Sequence, residues 1–360
     1  MFGCRWGLDG NMKNFSTRNV SLINKVVFTD GQPGCGKTLF SSLISTLKRI
    51  EIFNFSAEIE NICALHYLNK IDYDAVISLL KIQMDLDLYE LMMSRRLNFR
   101  PTDLSSAFQS SHLEKYIGRL FFKGDSLVPN KIIQKKPISH YLTHNLLSYS
   151  KPIFESFPGK ISFIEIVRHP IYQVIQQSVN HKNWMKKNGT ARQFHLYLKK
   201  NNKQYPFWAA DYASEFLNAN NIERAILDMY YMTYITNKNK KTILSKYKKH
   251  ILTIPFENFV FDPNPYIQKI LKLLGTTKTK STIIEMQKQN VPRKKISDGI
   301  NLEVYKRYGW KAPIDGYSEF EELELRKNFV IKSNIKKKYL DILDRLSLDY
   351  QNQYLKNFFE

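Results

Sequence analysis

Cysteine is scarce in this sequence: Cys4, Cys35 and Cys63 are the full complement. Their separations contain no paired metal-ligand spacing, and three scattered thiols give no disulfide framework, which sets aside a zinc module and a cystine-stapled scaffold. A reducing compartment fits this usage. Long apolar runs are missing too. No stretch of about 18 apolar residues is available to span a bilayer, and the opening MFGCRWGLDGNMKN has no apolar run of the secretory kind. The chain therefore reads as soluble and cytoplasmic. Internal repeats and low-complexity tracts are absent. Acidic residues are few, 33 against 54 lysines and arginines, for a formal net charge of +21. Such an excess suits an anionic ligand, a polyanionic acceptor, nucleic acid or a membrane surface, although solvated surface lysines give the same count. No recognisable nucleic-acid module accompanies the charge, so a basic nucleic-acid-binding protein without catalysis is a rival reading and no nucleic-acid partner is expected.

What is present suits a globular chain. With 360 residues, 43% of them hydrophobic and 13% aromatic, it can bury one large core. The expected organisation is a lead-in at 1–22, a main domain at 23–300 and a helical, charged extension at 301–360. Residues 23–31, INKVVFTDG, predict a buried strand that enters a glycine-rich turn, and residues 38–50, TLFSSLISTLKRI, predict a helix. IEIFNF at 50–55 predicts a second strand. Ser56 then serves as an N-cap, with Glu58 near the positive end of the next helix. Strand, loop, helix, strand, helix is the order of a parallel α/β sheet.

Farther along, Val76, Leu79, Leu80, Leu88, Leu91 and Met92 suit helices between 72 and 96, and Pro101 limits helix propagation beyond them. Residues 138–147 and 161–170 are apolar runs, the second a strand before a proline-marked turn. Helices are expected at 222–236 and at 264–274, where Gly275 supplies a stop. Between them HILTIPFENFVFDP reads as a strand and its exit loop.

Residues 31–38, GQPGCGKT, satisfy G-x-x-x-x-G-K-[ST] between a predicted strand and a predicted helix, the context in which that pattern binds phosphate. Backbone N–H groups across Gly34, Cys35, Gly36, Lys37, Thr38 and Leu39 are expected to converge on phosphate oxygens, with help from the helix dipole. Lys37 adds a cation and Thr38 a hydroxyl. Arg168 ends the strand ISFIEIVRHP, at the edge of a parallel sheet where ligands bind, and is placed for a second phosphate.

The loop, IVRHP and TIPFENFVFDPNPYIQKILKLLG, in that order, resemble the sulfotransferase family, whose donor is 3′-phosphoadenosine 5′-phosphosulfate (PAPS). More loosely, the chain is similar to bacterial members that sulfate carbohydrates and polysaccharides. The resemblance covers residues 23–295 and implies a P-loop NTPase-like three-layer α/β fold, a central parallel sheet flanked by helices. It implies the 5′-phosphosulfate on the loop and the 3′-phosphate on Arg168. Two departures stand out. Family members often carry a cation at the position of Gly34 and a threonine at that of Lys37, so here the cation sits at Lys37, the candidate for stabilising the leaving phosphate. The serine often found eight residues after the arginine is Gln176 in this chain, and Ser178 is off that register. A basic stretch near the end of the family domain corresponds to VPRKKISDG, which makes Arg293, Lys294 and Lys295 candidates for the 3′-phosphate.

The resemblance also places a general-base histidine within YLTHNLL, so His144 leads as the catalytic base. His140 is the alternative on the same strand face, and Glu58 is a carboxylate substitute. No metal is expected. For the acceptor hydroxyl, a saccharide or polysaccharide fits Trp184 or Trp208 as stacking platforms and Arg96, Arg100 or Arg192 as partners for anionic groups. The enzymatic rival is a P-loop kinase or other ATP-dependent phosphotransferase, served by Lys37 and Thr38 through Mg²⁺. Such an enzyme wants a strand ending in a magnesium-binding aspartate, whereas the strands recognised above end in His-Asn, Arg-His-Pro or Glu-Asn.

Overall fold

A computed structural model describes residues 15–122, 124–184, 193–296 and 318–355. Its strands are β1 (Lys25–Gly31), β2 (Asn54–Phe55), β3 (Ile138–Leu142), β4 (Ile161–Val167), β5 (Tyr197–Lys200), β6 (Lys203–Pro206) and β7 (Ile251–Pro255). Five of them form one sheet in the order β2-β3-β1-β4-β7, every neighbouring pair parallel. β5 and β6 make a separate antiparallel hairpin. β1 lies at the centre, and Val26 to Gly31 are buried throughout. A strand covered on both faces reads as an unbroken apolar run, which is why residues 25–31 were legible as sequence.

The helices are α1 (Lys37–Ile44), α2 (Ala57–Tyr67), α3 (Tyr73–Leu91), α4 (Leu113–Leu120), α5 (Val128–Lys135), α6 (Lys151–Ser156), α7 (Pro170–Trp184), α8 (Ala213–Asn218), α9 (Asn221–Lys241), α10 (Phe256–Phe261), α11 (Asn264–Leu274), α12 (Lys280–Lys288), α13 (Glu319–Ile331) and α14 (Lys337–Tyr354). Alternation along the strands sends neighbouring side chains to opposite layers. Val27, Ile164 and Ile166 join Phe40 of α1, Ile226 of α9, Phe259 of α10 and Ile270 of α11. Val26, Phe28 and Phe163 join Ile59 of α2, Leu80 and Met84 of α3 and Ile153 of α6. The result is the expected α/β architecture, a parallel sheet between two helical layers. Leu323 and Val330 of α13 and Tyr339 and Leu343 of α14 are buried in the same cluster as Val27, and both helices pack on α7. Among the described residues no helix is long and apolar enough to cross a membrane.

Local signals were met at several ends. Ser56 accepts the Ile59 N–H, and Gly275 closes α11 at φ 62°. The second strand is shorter than IEIFNF predicts. Ile52 gives its N–H to the Tyr116 hydroxyl at 2.7 Å and Phe53 gives its own to Ser45 Oγ at 3.1 Å, so pairing with β3 is interrupted between an isolated parallel bridge at Ile50 and Ile138 and the two-residue ladder of Asn54 and Phe55. Residues 256–261, read as an exit loop, are helical.

Candidate active site

The phosphate loop runs from the end of β1 at Gly31 to the start of α1 at Lys37. Its glycines are required by geometry. Gly34 and Gly36 adopt φ of 86° and 93°, and a Cβ on Gly36 would stand 2.3 Å from the Phe256 ring. The N–H groups of Gly36, Lys37 and Thr38 open the first turn of α1, where a helix supplies no partner of its own. Lys37 is nearly buried, at 6% exposure, and its Nζ donates to Gln32 O at 3.1 Å. Cys35 is buried, and burial pushes its thiol above the ordinary range. Leu39 stands apart from the open amides: its side chain lies in the core and its N–H donates to Gly36 O at 3.0 Å.

Arg168 follows β4 and turns onto this loop. Its Nη1 donates to Gly34 O at 3.1 Å, and its guanidinium lies over the Phe256 ring at 4.3 Å and near that of Tyr172 at 5.1 Å. Its Nε is buried without a hydrogen-bond partner among the described residues, and Glu257 Oε1 lies 3.9 Å from it. Helix α7 then presents glutamines to the loop. The Gln176 amide oxygen comes within 3.2 Å of where a Gly34 Cβ would be, and Gln177 Nε2 donates to Pro33 O at 3.0 Å. Gln173 Nε2 donates to Arg168 O at 2.7 Å, and its Oε1 is buried without a partner. Ser178 instead donates to Ile175 O of its own helix, which takes it out of the site.

Of the basic stretch, Arg293 is brought in. It lies over the other reach of Phe256, at 5.5 Å, while its Nη1 donates to Ile296 O. One ring beneath Gly36 therefore organises two guanidinium groups. Lys294 is exposed, and Lys295 sits in the field of Glu321.

The two candidate histidines occupy different environments, and the shared strand face expected for them does not exist. His140 is inside β3, 2% exposed, hydrogen-bonded to Thr29 Oγ1 at 2.8 Å and Ser45 Oγ at 3.0 Å. Burial lowers its pKa to about 3, so it is a neutral core residue. His144 lies beyond the strand's end, with a half-exposed ring stacked on Phe55. Glu60 Oε1 takes the His144 backbone N–H at 2.8 Å and lies 3.2 Å from Nδ1. A carboxylate that only accepts keeps the proton on Nδ1 and leaves Nε2 basic. Glu58, the sequence's carboxylate substitute, is tied to Arg96, which also reaches Asp87 at 2.6 Å and Glu90 at 3.4 Å. Arg96 is thereby neutralised by carboxylates of α2 and α3. Arg100 is exposed near Asp103, and Arg192 lies outside the described residues.

Two open clefts share Gln32 and Asn145 on their borders. The first, of about 950 Å³, is bordered by Glu60, His144, Trp184, His195, Trp208 and Asp228. Asp228 accepts from Trp208 Nε1 at 3.0 Å and the Tyr212 hydroxyl at 2.7 Å and lies 3.2 Å from His181 Nε2, which fixes one wall. Burial holds His195 down at about 4, so it too is neutral. The second cleft, of about 870 Å³, is bordered by Asp30, Arg168, Gln173, Asn237 and Tyr350. Sequence reasoning missed Glu60, Asp228 and His195. Glu60 was marked only by its place in the first turn of α2, two residues after Glu58, and Asp228 carried no local signal inside its helix.

No protein-family model matches the chain, and no curated protein matches its sequence. Solved structures to which it is similar include the sulfotransferase domain from the Synechococcus PCC 7002 olefin synthase, at 11% identity over 90% of this chain and 100% of that one, with a TM-score of 0.39. A sulfotransferase from Alicyclobacillus acidocaldarius is 11% identical over 91% of this chain and 96% of its own, with a TM-score of 0.35. A mouse sulfotransferase complexed with PAP is 11% identical over 92% and 89% of the two chains, with a TM-score of 0.34. At these values the chemistry of the present chain rests on its own residues.

Proposed function

We propose that the protein transfers a sulfuryl group from PAPS to an acceptor hydroxyl and releases adenosine 3′,5′-bisphosphate. The observation that carries this reading is the junction at Gln32. Both clefts reach Gln32 and Asn145, the Gln32 carbonyl holds the Lys37 ammonium, and a histidine stands in one cleft while an arginine stands in the other. The amides of Gly36, Lys37 and Thr38 receive the 5′-phosphosulfate, and Arg168, with Gln176 and Arg293 beside it, receives the 3′-phosphate. Gln173 Oε1, buried and without a hydrogen-bond partner among the described residues, fits a polar ligand at that place.

In the transfer the acceptor oxygen forms a bond to sulfur as the bond from sulfur to the bridging phosphate oxygen breaks. The acceptor proton passes to His144 Nε2, and Lys37 stabilises the electron pair left on the phosphate. Glu60 holds the imidazole in the required tautomer and supports its charge once protonated. The walls formed by Trp184 and Trp208 suit a saccharide ring as acceptor, the flat apolar face of a sugar against an indole.

A magnesium-dependent phosphotransferase would need a carboxylate free to hold the ion. Asp30, at the end of β1, has both oxygens engaged, by Thr143 Oγ1 at 2.9 Å and by the Leu146 and Leu147 N–H groups at 3.1 and 2.8 Å. Calorimetry with adenosine 3′,5′-bisphosphate and with ATP and Mg²⁺ separates the two readings. Binding of the bisphosphate without metal supports sulfuryl transfer, and binding of ATP alone overturns it.

A further inference from the structure

The last turns of α14 line the cleft that holds Arg168, although α14 follows the sheet by more than 80 residues of chain. Asp349, Tyr350, Gln353 and Tyr354 border it opposite Arg168 and Gln173. The helix is also tied into the arginine turn itself. The Tyr350 hydroxyl donates to Glu257 Oε2 at 2.5 Å and lies 3.3 Å from Val167 O. Glu257 is fully buried; its other oxygen accepts the His169 N–H at 3.1 Å and faces Arg168 Nε. Gln351 meets His169 Nε2 at 3.1 Å, and Tyr354 O accepts from Asn258 Nδ2 at 2.9 Å. Each tie joins α14 either to the end of β4 and the residues just after it or to the residues just after β7.

Among the described residues, Gln173 Oε1 on the cleft wall is buried without a hydrogen-bond partner, while Arg168 Nε, also buried, faces Glu257 at 3.9 Å. Buried polar groups are almost always paired, so the Gln173 amide oxygen at this cleft marks where a ligand completes the structure. Gln32 and Asn145 border both this cleft and the one that holds His144, and Arg168 lies in this cleft, which puts the group to be bound on the donor side.

We propose that α14 is a wall of the donor site and takes the nucleoside portion of a nucleotide, a role that rests on the donor reading above. Gln353 and Tyr354 border the base and ribose. Tyr350 is a positioning residue: through Glu257 it orients the Arg168 guanidinium toward the phosphate on the ribose 3′ oxygen.

The test measures binding of adenosine 3′,5′-bisphosphate and of adenosine 5′-phosphate to the full chain, to Tyr350→Phe and to Gln353→Ala. Tyr350→Phe removes one hydroxyl and is expected to weaken the bisphosphate about tenfold while leaving the 5′-phosphate unchanged, because only the former uses Arg168. Gln353→Ala, at an exposed position where folding is not at stake, is expected to weaken both nucleotides by a common factor of about three. Parent-like binding of both nucleotides by both variants overturns the inference. If Tyr350→Phe fails to fold, the Gln353→Ala result decides alone. A parent chain that binds neither nucleotide overturns the donor reading itself, an outcome distinct from binding that the variants leave untouched.

Discussion

The ammonium of Lys37 donates to the carbonyl oxygen of Gln32 at 3.1 Å, so the cation is folded across the loop that carries it. Lys37 is nearly buried there and hydrogen-bonds no carboxylate among the described residues, and an anion at the loop gives it a better partner than a neutral carbonyl. Lys37→Ala is therefore expected to lower turnover by about 10²–10³ while bisphosphate affinity falls much less, since the ammonium matters most as charge develops on the leaving phosphate. Steady-state rates beside calorimetry make the comparison. Equal losses in rate and affinity would assign Lys37 to simple binding.

His144 Nδ1 lies 3.2 Å from Glu60 Oε1. His144→Ala is expected to cut turnover by about 10²–10⁴ with donor affinity retained. Glu60→Gln keeps the shape but no longer stabilises a protonated imidazole, and a smaller loss in the same direction is expected. Near-normal turnover of His144→Ala would hand the proton to a carboxylate, because His140 is held neutral by burial, at about 3.

Gly36 is the tightest point of the loop. An alanine there must take φ near 93° and push its Cβ into the Phe256 ring, the ring that also carries Arg168 and Arg293. The backbone strain alone is about 1–3 kcal/mol. Gly36→Ala is expected to lower the melting temperature and abolish nucleotide binding together, and retention of binding would mean that Phe256 can move without cost to the site.

The frame of the site was legible because its parts are local or continuous. β1 and β4 are apolar runs, the loop is a short pattern with strand and helix on either side, and Ser56 caps its own helix. What escaped depends on partners distant in sequence. Tyr116 takes the Ile52 N–H across 64 residues and dissolves most of a well-patterned strand. His140 and His144 look equivalent by alternation, but β3 stops at Leu142, so one is core and the other cleft. Phe256 reads as an ordinary core aromatic, and only the fold sets it beneath Gly36. Arg168 was legible by position, but not its orientation, since that depends on Glu257 and Tyr350.

Glu51 offers a test of the fold without reference to ligands. It is buried, and burial pushes its pKa up, but Lys115 at 2.9 Å and Arg119, which donates to both of its oxygens at 2.9 Å, outweigh that and hold it at about 2 against the usual 4.5. Burial depresses Lys115 in turn, so Arg119 is the partner that fixes the charge. A carboxyl depressed in the folded state contributes stability that is fully present above about pH 4.5 and is lost as pH falls toward 2. The shift corresponds to about 3 kcal/mol. Glu51→Gln leaves two cations without their counter-charge and is expected to destabilise the protein at neutral pH by a similar amount, about 3 kcal/mol. The same variant should lose less further stability than the parent between pH 4.5 and 2, so that the two converge in acid. Melting temperatures taken across that range decide the matter, and curves that stay parallel would show that Glu51 is not the group whose protonation loosens this side of the sheet.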